Sequence, residues 1–349
     1  MRAMIAAVHR VQFRIAVAVR PAAVGLPVGL FMGILLLATL AVGGCGGGVR
    51  DLAREDMPRA VGTTPVGLEF LTAYENAPGA SYFPLNGLAG CCYGPDGTLL
   101  VCDEKRGLVH ALDPRDLIWY TFDAPASRPY QPVDAVYDGL KVLVLDQAGA
   151  GIQRFEPRGA WLDELVDLRQ LDPGDEPLAT SLAIDRDGRM VIGDATSQQV
   201  LLLDTFLSLY LRVGGPGTVS DQFRDPAGLV FLPDGGFLVA DRGNRRLCRY
   251  GRNGFFEGTV GGDFMVDNPF VAPQGLDIDR FGNVFVADPA AGLLHVLDHR
   301  LRPLFSTGPE LSLQAAPSVP VDVAVSPDGT LAVTDRSRAA ILLYRIVYE

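Results

Sequence analysis

Six aspartates recur along this 349-residue chain at nearly even spacing. Asp103, Asp146, Asp194, Asp241, Asp288 and Asp335 stand 43, 48, 47, 47 and 47 residues apart. Each closes an apolar run: TLLVCD, KVLVLD, RMVIGD, GFLVAD, NVFVAD and TLAVTD. Six carboxylates at equivalent points could form a metal belt. They could equally accept backbone N–H groups where the chain turns. A residue present in every copy serves the copy rather than one site, so these six are read as structural.

Sharper chemistry lies where the copies differ. Counting seven residues back from each turn glycine gives Gly90, Ser181, Gly228, Gly275 and Asp322. In the second copy, Pro132-Val133-Asp134 aligns with Pro320-Val321-Asp322. Asp134, Asp322 and Ser181 together could hold a hard cation such as Ca2+ through oxygen ligands. Carboxylates hydrogen-bonded to neighbouring segments are the commoner arrangement, so the main reading carries no cofactor. Cys91 or Cys92 stands across a turn from Cys102, where a disulfide could form in an exported protein. Buried free thiols are the alternative there. Cys248 reads as core. His110 and His295 each lie seven residues after a repeat Asp, at matching strand positions, which suits packing better than a zinc site.

The elements that position these residues follow from the repeat. A turn precedes each apolar run: Asp96-Gly97, Asp138-Gly139, Asp187-Gly188, Asp234-Gly235, Phe281-Gly282 and Asp328-Gly329. Asp-Gly between β-rich runs predicts a tight primed hairpin. Short apolar strands lie on both sides, so each copy is a four-stranded antiparallel meander. The second strands are apolar at consecutive positions, which requires burial on both faces. Sheets stacked radially around an axis provide that. The expected fold is all-β, a six-bladed β-propeller spanning residues 64–349. The sixth copy supplies three strands, and Val66–Tyr74 (VGLEFLTAY) is spare. That N-terminal strand is expected to complete the sixth blade and close the ring.

Residues 215–254 resemble an NHL repeat. Phe223, Pro226, Gly228, Asp234-Gly235, Ala240-Asp241, Gly243-Asn244 and Arg246 fall on the pattern of that family. The copy at 270–308 follows the pattern to Asp288, then departs at Pro289-Ala290-Ala291-Gly292. The resemblance implies the propeller and leaves function open. Gluconolactonase-type enzymes place Glu, Asn and Asp on channel-lining strands. No matching set occurs here, Asn86 and Asp134 being the nearest pieces.

Residues 1–44 hold four arginines and no acid, with an apolar run from Ala22 to Val42. Val42-Gly43-Gly44-Cys45 resembles a bacterial lipobox, which implies a signal peptide at 1–44 and lipid on Cys45. Gly46 after the cysteine points to the outer membrane. Residues 45–63 read as a flexible tether. Residues 45–349 carry 26 cations against 41 anions, a net charge of −15. That charge excludes a basic nucleic-acid footprint. The expectation is a non-enzymatic binding or scaffold lipoprotein of the cell envelope. Its partner would be an envelope protein or a surface ligand, and its membrane contact the lipid anchor. The alternative is a metal-dependent hydrolase or lyase acting at the channel mouth.

Overall fold

The computed structural model describes residues 63–77, 83–115, 117–123, 125, 130–171, 176–308 and 315–349. The expected signal peptide, lipidated Cys45 and most of the tether lie outside these residues. Among the described residues, no helix is long and apolar enough to cross a membrane.

Six four-stranded antiparallel sheets follow one another along the chain. Their first strands are Leu88–Tyr93, Pro132–Tyr137, Ala179–Ile184, Pro226–Phe231, Leu276–Ile278 and Pro320–Val325. Copies two and three, whose motifs are the most degenerate, still form complete blades. The second strands Leu99–Asp103, Val142–Asp146, Met190–Asp194, Phe237–Asp241 and Val284–Asp288 are buried at every residue. Their unbroken apolar runs are explained by neighbours on both faces.

The core lies between blades rather than within one layer. Buried apolar side chains form six clusters, each joining two neighbouring blades. Leu143, Leu145 and Ile152 of blade two pack against Leu182, Ile192 and Leu201 of blade three. Leu88 and Val101 of blade one meet Ala324, Ala332 and Ile341 of blade six, which closes the ring. Each fully buried aliphatic side chain contributes about 1.5–3 kcal/mol.

The N-terminal strand Pro65–Tyr74 pairs antiparallel with Ala340–Tyr348 and forms the outer strand of blade six. Leu68, Phe70 and Ala73 lean on the cluster between blades five and six. The Glu349 N–H donates to Thr64 O at 2.9 Å beside it. The first and last parts of the propeller are thus held in one sheet, and an edge that would otherwise be open is covered.

The hairpins differ from the expected primed turns. Gly97, Gly188, Gly235, Gly282 and Gly329 have φ between 83° and 89°, but the residues before them are not left-handed. Each glycine N–H donates to the carbonyl three residues earlier, as from Gly188 to Asp185 O at 3.1 Å. This is a type I turn followed by a left-handed glycine, the three-residue hairpin loop. A type I′ turn would need positive φ at both central residues. Blade two alone has a shorter loop, in which the Asp138 N–H donates to Lys141 O across Gly139 and Leu140.

Candidate functional site

The repeat aspartates act on the backbone. All six are buried. Asp103 accepts from Asn86 N (2.8 Å) and Arg106 N (3.1 Å). Asp146 accepts from Gln131 N and Gly149 N, and Asp194 from Leu178 N and Thr196 N. Asp241 accepts from Arg224 N, Asn244 Nδ2 and Arg246 Nε. Asp288 accepts from Val271 N and Ala291 N, and Asp335 from Ser318 N and Arg338 N. Each carboxylate ties the segment entering its blade to the turn leaving the second strand. His110 and His295 lie on third strands, 3.7 and 3.5 Å from Asp103 and Asp288, away from the axis.

The first strands line an axial channel. Gly90, Asp134, Ser181, Gly228, Gly275 and Asp322 all face it. Asp134, Ser181 and Asp322 border both halves of the channel and so mark its waist. Asp134 Oδ2 accepts from Ser181 Oγ (2.9 Å) and Leu182 N (2.8 Å), both in blade three. Asp322 Oδ2 accepts from Cys91 N in blade one at 2.8 Å. Asp277, in the lower half, accepts from Val325 N in blade six at 2.7 Å. Three carboxylates therefore stitch one blade to the next. Two glycines make room for them: a Cβ on Gly90 would lie 2.6 Å from Asp134 Oδ1, and one on Gly275 would lie 2.1 Å from Asp322 Oδ1.

Electrostatics at the waist favour the protonated acids. Loss of hydration raises Asp134 to about 6, opposed by its bonds from Leu182, Ser181 and Ala135. Asp277 rises to about 7, first through loss of hydration and then through the charges of Asp134 and Asp279. Asp322 is pushed up by the same loss and by Asp134. Such groups can hold or exchange protons near neutrality. Among the described residues, no group of three or more His, Cys, Asp and Glu side chains is arranged to hold a metal ion.

Above the waist, the channel opens into a cavity of about 350 Å3. Its lining includes the residue that follows the repeat aspartate in five of the blades: Glu104, Gln147, Ala195, Arg242 and Arg336. Arg242 bonds Asp225 Oδ2 (2.6 Å) and Gln274 Oε1 (3.0 Å). Arg336 donates to Leu88 O and lies 3.6 Å from Glu104. Asp277 and this charged rim were not found in the sequence. The signal was available: in the strand position of Asp277, the other blades carry Cys92, Val136, Ala183, Val230 and Ala324.

Of the two arrangements open to Cys91 or Cys92 with Cys102, the structure has free thiols: Cys91, Cys92, Cys102 and Cys248 are all unbridged. Register is the reason. Cys91 stands opposite Val101 and Cys92 opposite Leu100, so neither faces Cys102. Cys91 packs toward blade six and Cys102 toward blade two.

This ring of radial sheets around a polar channel defines a six-bladed β-propeller. Residues 223–250 match the NHL repeat family, so the propeller carries an NHL repeat in blade four. No curated protein matches the sequence. Among solved structures, a streptogramin B lyase is 13% identical over 79% of this chain and 98% of its own, with TM-score 0.58. A protein of unknown function from Bacteroides thetaiotaomicron is 14% identical over 82% and 74%, with TM-score 0.63. A protein provisionally named a gluconolactonase is 19% identical over 82% and 94%, with TM-score 0.59. These likenesses establish the shared fold.

Proposed function

We propose that this propeller is a binding and scaffold module, tethered to the outer membrane through lipid on Cys45, that receives an envelope protein or surface ligand at its axial mouth. The observation that carries the reading is the contrast between adjacent positions. The repeat aspartate is the same in all six blades, whereas the next residue is Glu104, Gln147, Ala195, Arg242, Pro289 or Arg336. The framework position is fixed by backbone bonding. The rim position varies from blade to blade, and its Glu104, Arg242 and Arg336 bring charge of both signs to the axial mouth. A concave site with a few convergent polar groups suits ligand recognition. Two tests address this reading. Palmitate labelling should mark the protein and vanish in Cys45→Ser. Cross-linking in native membranes should recover a stoichiometric partner that is lost in Arg242→Ala with Arg336→Ala. Absence of label would remove the tether, and retention of the partner in the double variant would remove the mouth.

A second reading is a hydrolase or lyase acting in the channel, with Asp134 and Asp322 holding Ca2+ or moving a proton. The raised acids Asp134 and Asp277 favour it. Two solved propellers of similar fold carry lyase and lactonase names. Turnover of lactones or esters that Asp134→Asn abolishes would replace the scaffold reading with this one.

A further inference from the structure

We propose that the face opposite the axial mouth rests on a lipid bilayer, the same one that holds the lipid on Cys45. The inference rests on the lipid anchor of the proposed function and adds to it a contact surface and an orientation.

The point where the chain enters the propeller defines this face. In each sheet the turns between first and second strands, and between third and outer strands, lie at one end, and the repeat aspartates lie at the other. Pro65 pairs with Tyr348, at the end of blade six that carries such turns. Thr63 is fixed just before it. Asn283, buried after the Phe281-Gly282 turn of blade five, donates through Nδ2 to Thr63 O and to Asp279 Oδ2, both at 2.7 Å. The chain preceding the propeller therefore joins it on the face away from the mouth.

The tether length favours this face for the membrane. Residues 46–62 separate Cys45 from the clamped Thr63. A coil of that length spans roughly 20–25 Å. The closing strand Pro65–Tyr74 alone runs about 33 Å from this face toward the mouth. A lipid on Cys45 thus holds the entry face closer to the bilayer than the mouth.

The same face presents apolar side chains around most of the ring. Val66 and Val347 are exposed beside the entry point, and Leu117 is exposed in blade one. Leu140 in blade two is 78% exposed, Phe206 in blade three 87% and Phe255 in blade four 72%. Their turns are braced. Leu140 N donates to Asp138 Oδ1 (2.9 Å), Phe206 N to Asp204 Oδ1 (2.9 Å) and Phe255 N to Asn253 Oδ1 (3.2 Å). Apolar tips at one end of five sheets suit an extended partner, and the tether keeps a bilayer within reach. On the mouth face, the exposed apolar side chains, Phe264 and Val266 foremost, lie in segments leading into blades three to five, on one side of the ring. The net charge of −15 over residues 45–349 gives no general attraction to anionic lipid, so the contact rests on burying these tips at the headgroup boundary. In this pose the axial mouth points away from the membrane and stays open to its partner.

The test is tryptophan quenching in the processed, full-length protein, reconstituted in zwitterionic vesicles whose acyl chains carry bromine. Trp161→Phe leaves the buried Trp119 as background. On that background, Phe206→Trp and Phe255→Trp should each lose emission relative to unbrominated vesicles, and Leu178→Trp, at the mouth, should not. The losses should persist at high salt, because an apolar contact is not screened. Adding Phe206→Ser and Phe255→Ser should weaken the quenching of Leu140→Trp without altering the melting temperature, because both rings are in solvent. Palmitate labelling reads the anchor separately. Label without quenching at 206 and 255, quenching at 178 alone, or quenching that salt abolishes would overturn the face and leave the anchor standing. Absence of label would overturn the anchor and the face with it. A dimer that Phe206→Ser with Phe255→Ser dissolves, seen without quenching, would assign the face to a second copy of the chain and overturn the proposal.

Discussion

The carboxylate of Asp322 in the last blade accepts the backbone N–H of Cys91 in the first at 2.8 Å, across 231 residues of sequence. Asp134 makes the equivalent bond to Leu182 within the ring. Asp322→Ala would strand the Cys91 N–H and should cost about 1–3 kcal/mol in urea denaturation. Asp322→Asn should cost less, because its carbonyl can still accept and the repulsion from Asp134 is gone. Equal costs for the two variants would show that the bond carries no weight.

Stability should fall as pH rises from about 4 to about 7. Asp134 is raised to about 6 and Asp277 to about 7, while unfolded aspartates titrate near 3.9. Between those values the folded protein retains protons that the unfolded chain releases, so the stabilisation is complete below the unfolded pKa and lost through the folded one. The slope approaches about 1.4 kcal/mol per pH unit for each such proton. Asp96, Asp167, Asp288 and Asp328 are lowered and act oppositely, losing their contribution as pH falls below about 4. Denaturation across pH should therefore show an optimum on the acid side of neutrality. Asp277→Asn should flatten the upper part of the decline. A stability that rises from pH 5 to 7 would contradict the assignment.

Parts of this arrangement were readable in the sequence. The six-fold repeat, the doubly buried second strands and the spare Val66–Tyr74 strand followed from apolar patterning and from the need to cover an edge. Counting back from turn glycines locates Ser181 and Asp322, because blades repeat in register, and Asp134 follows from the match of Pro132-Val133-Asp134 to Pro320-Val321-Asp322. Asp277 lies two residues beyond Gly275, in the lower half of the channel, at a position where the other blades carry apolar residues or Cys92, so the repeat does not point to it. The rim is not legible because its position repeats no residue type across the blades: it is Glu104, Gln147, Ala195, Arg242, Pro289 and Arg336. An Asp-Gly pair alone does not separate a primed turn from a type I turn with a following left-handed glycine. The choice between free thiols and a bridge to Cys102 turns on register, which depends on the irregular pairing between Leu88 and Cys91.

The closing strand should be essential. Phe70 meets Tyr344 edge to face with centroids 5.8 Å apart. Phe70→Ala should cost roughly 2 kcal/mol, less than a fully buried phenylalanine. Removing residues 65–74 should uncover the edge of Ala340–Tyr348 and produce oligomers visible by light scattering. A monomeric truncation with unchanged melting would contradict the closure.

The cysteines should behave as buried thiols. Burial raises Cys91, Cys92, Cys102 and Cys248. Native alkylation at pH 8 should be slow at all four and rapid in denaturant. A reductant should leave the melting temperature unchanged, whereas a reductant-dependent drop would reveal a bridge.

The central claim is that the axial mouth receives the partner. Leu178 lines that mouth, and Arg186 lies in the turn at the opposite end of the same strand. A photo-cross-linking amino acid placed at each position in turn, in the full chain in its native membrane, separates the two faces. The account predicts a discrete adduct from position 178 and none from position 186. An adduct from 186 alone, or from neither, would contradict it.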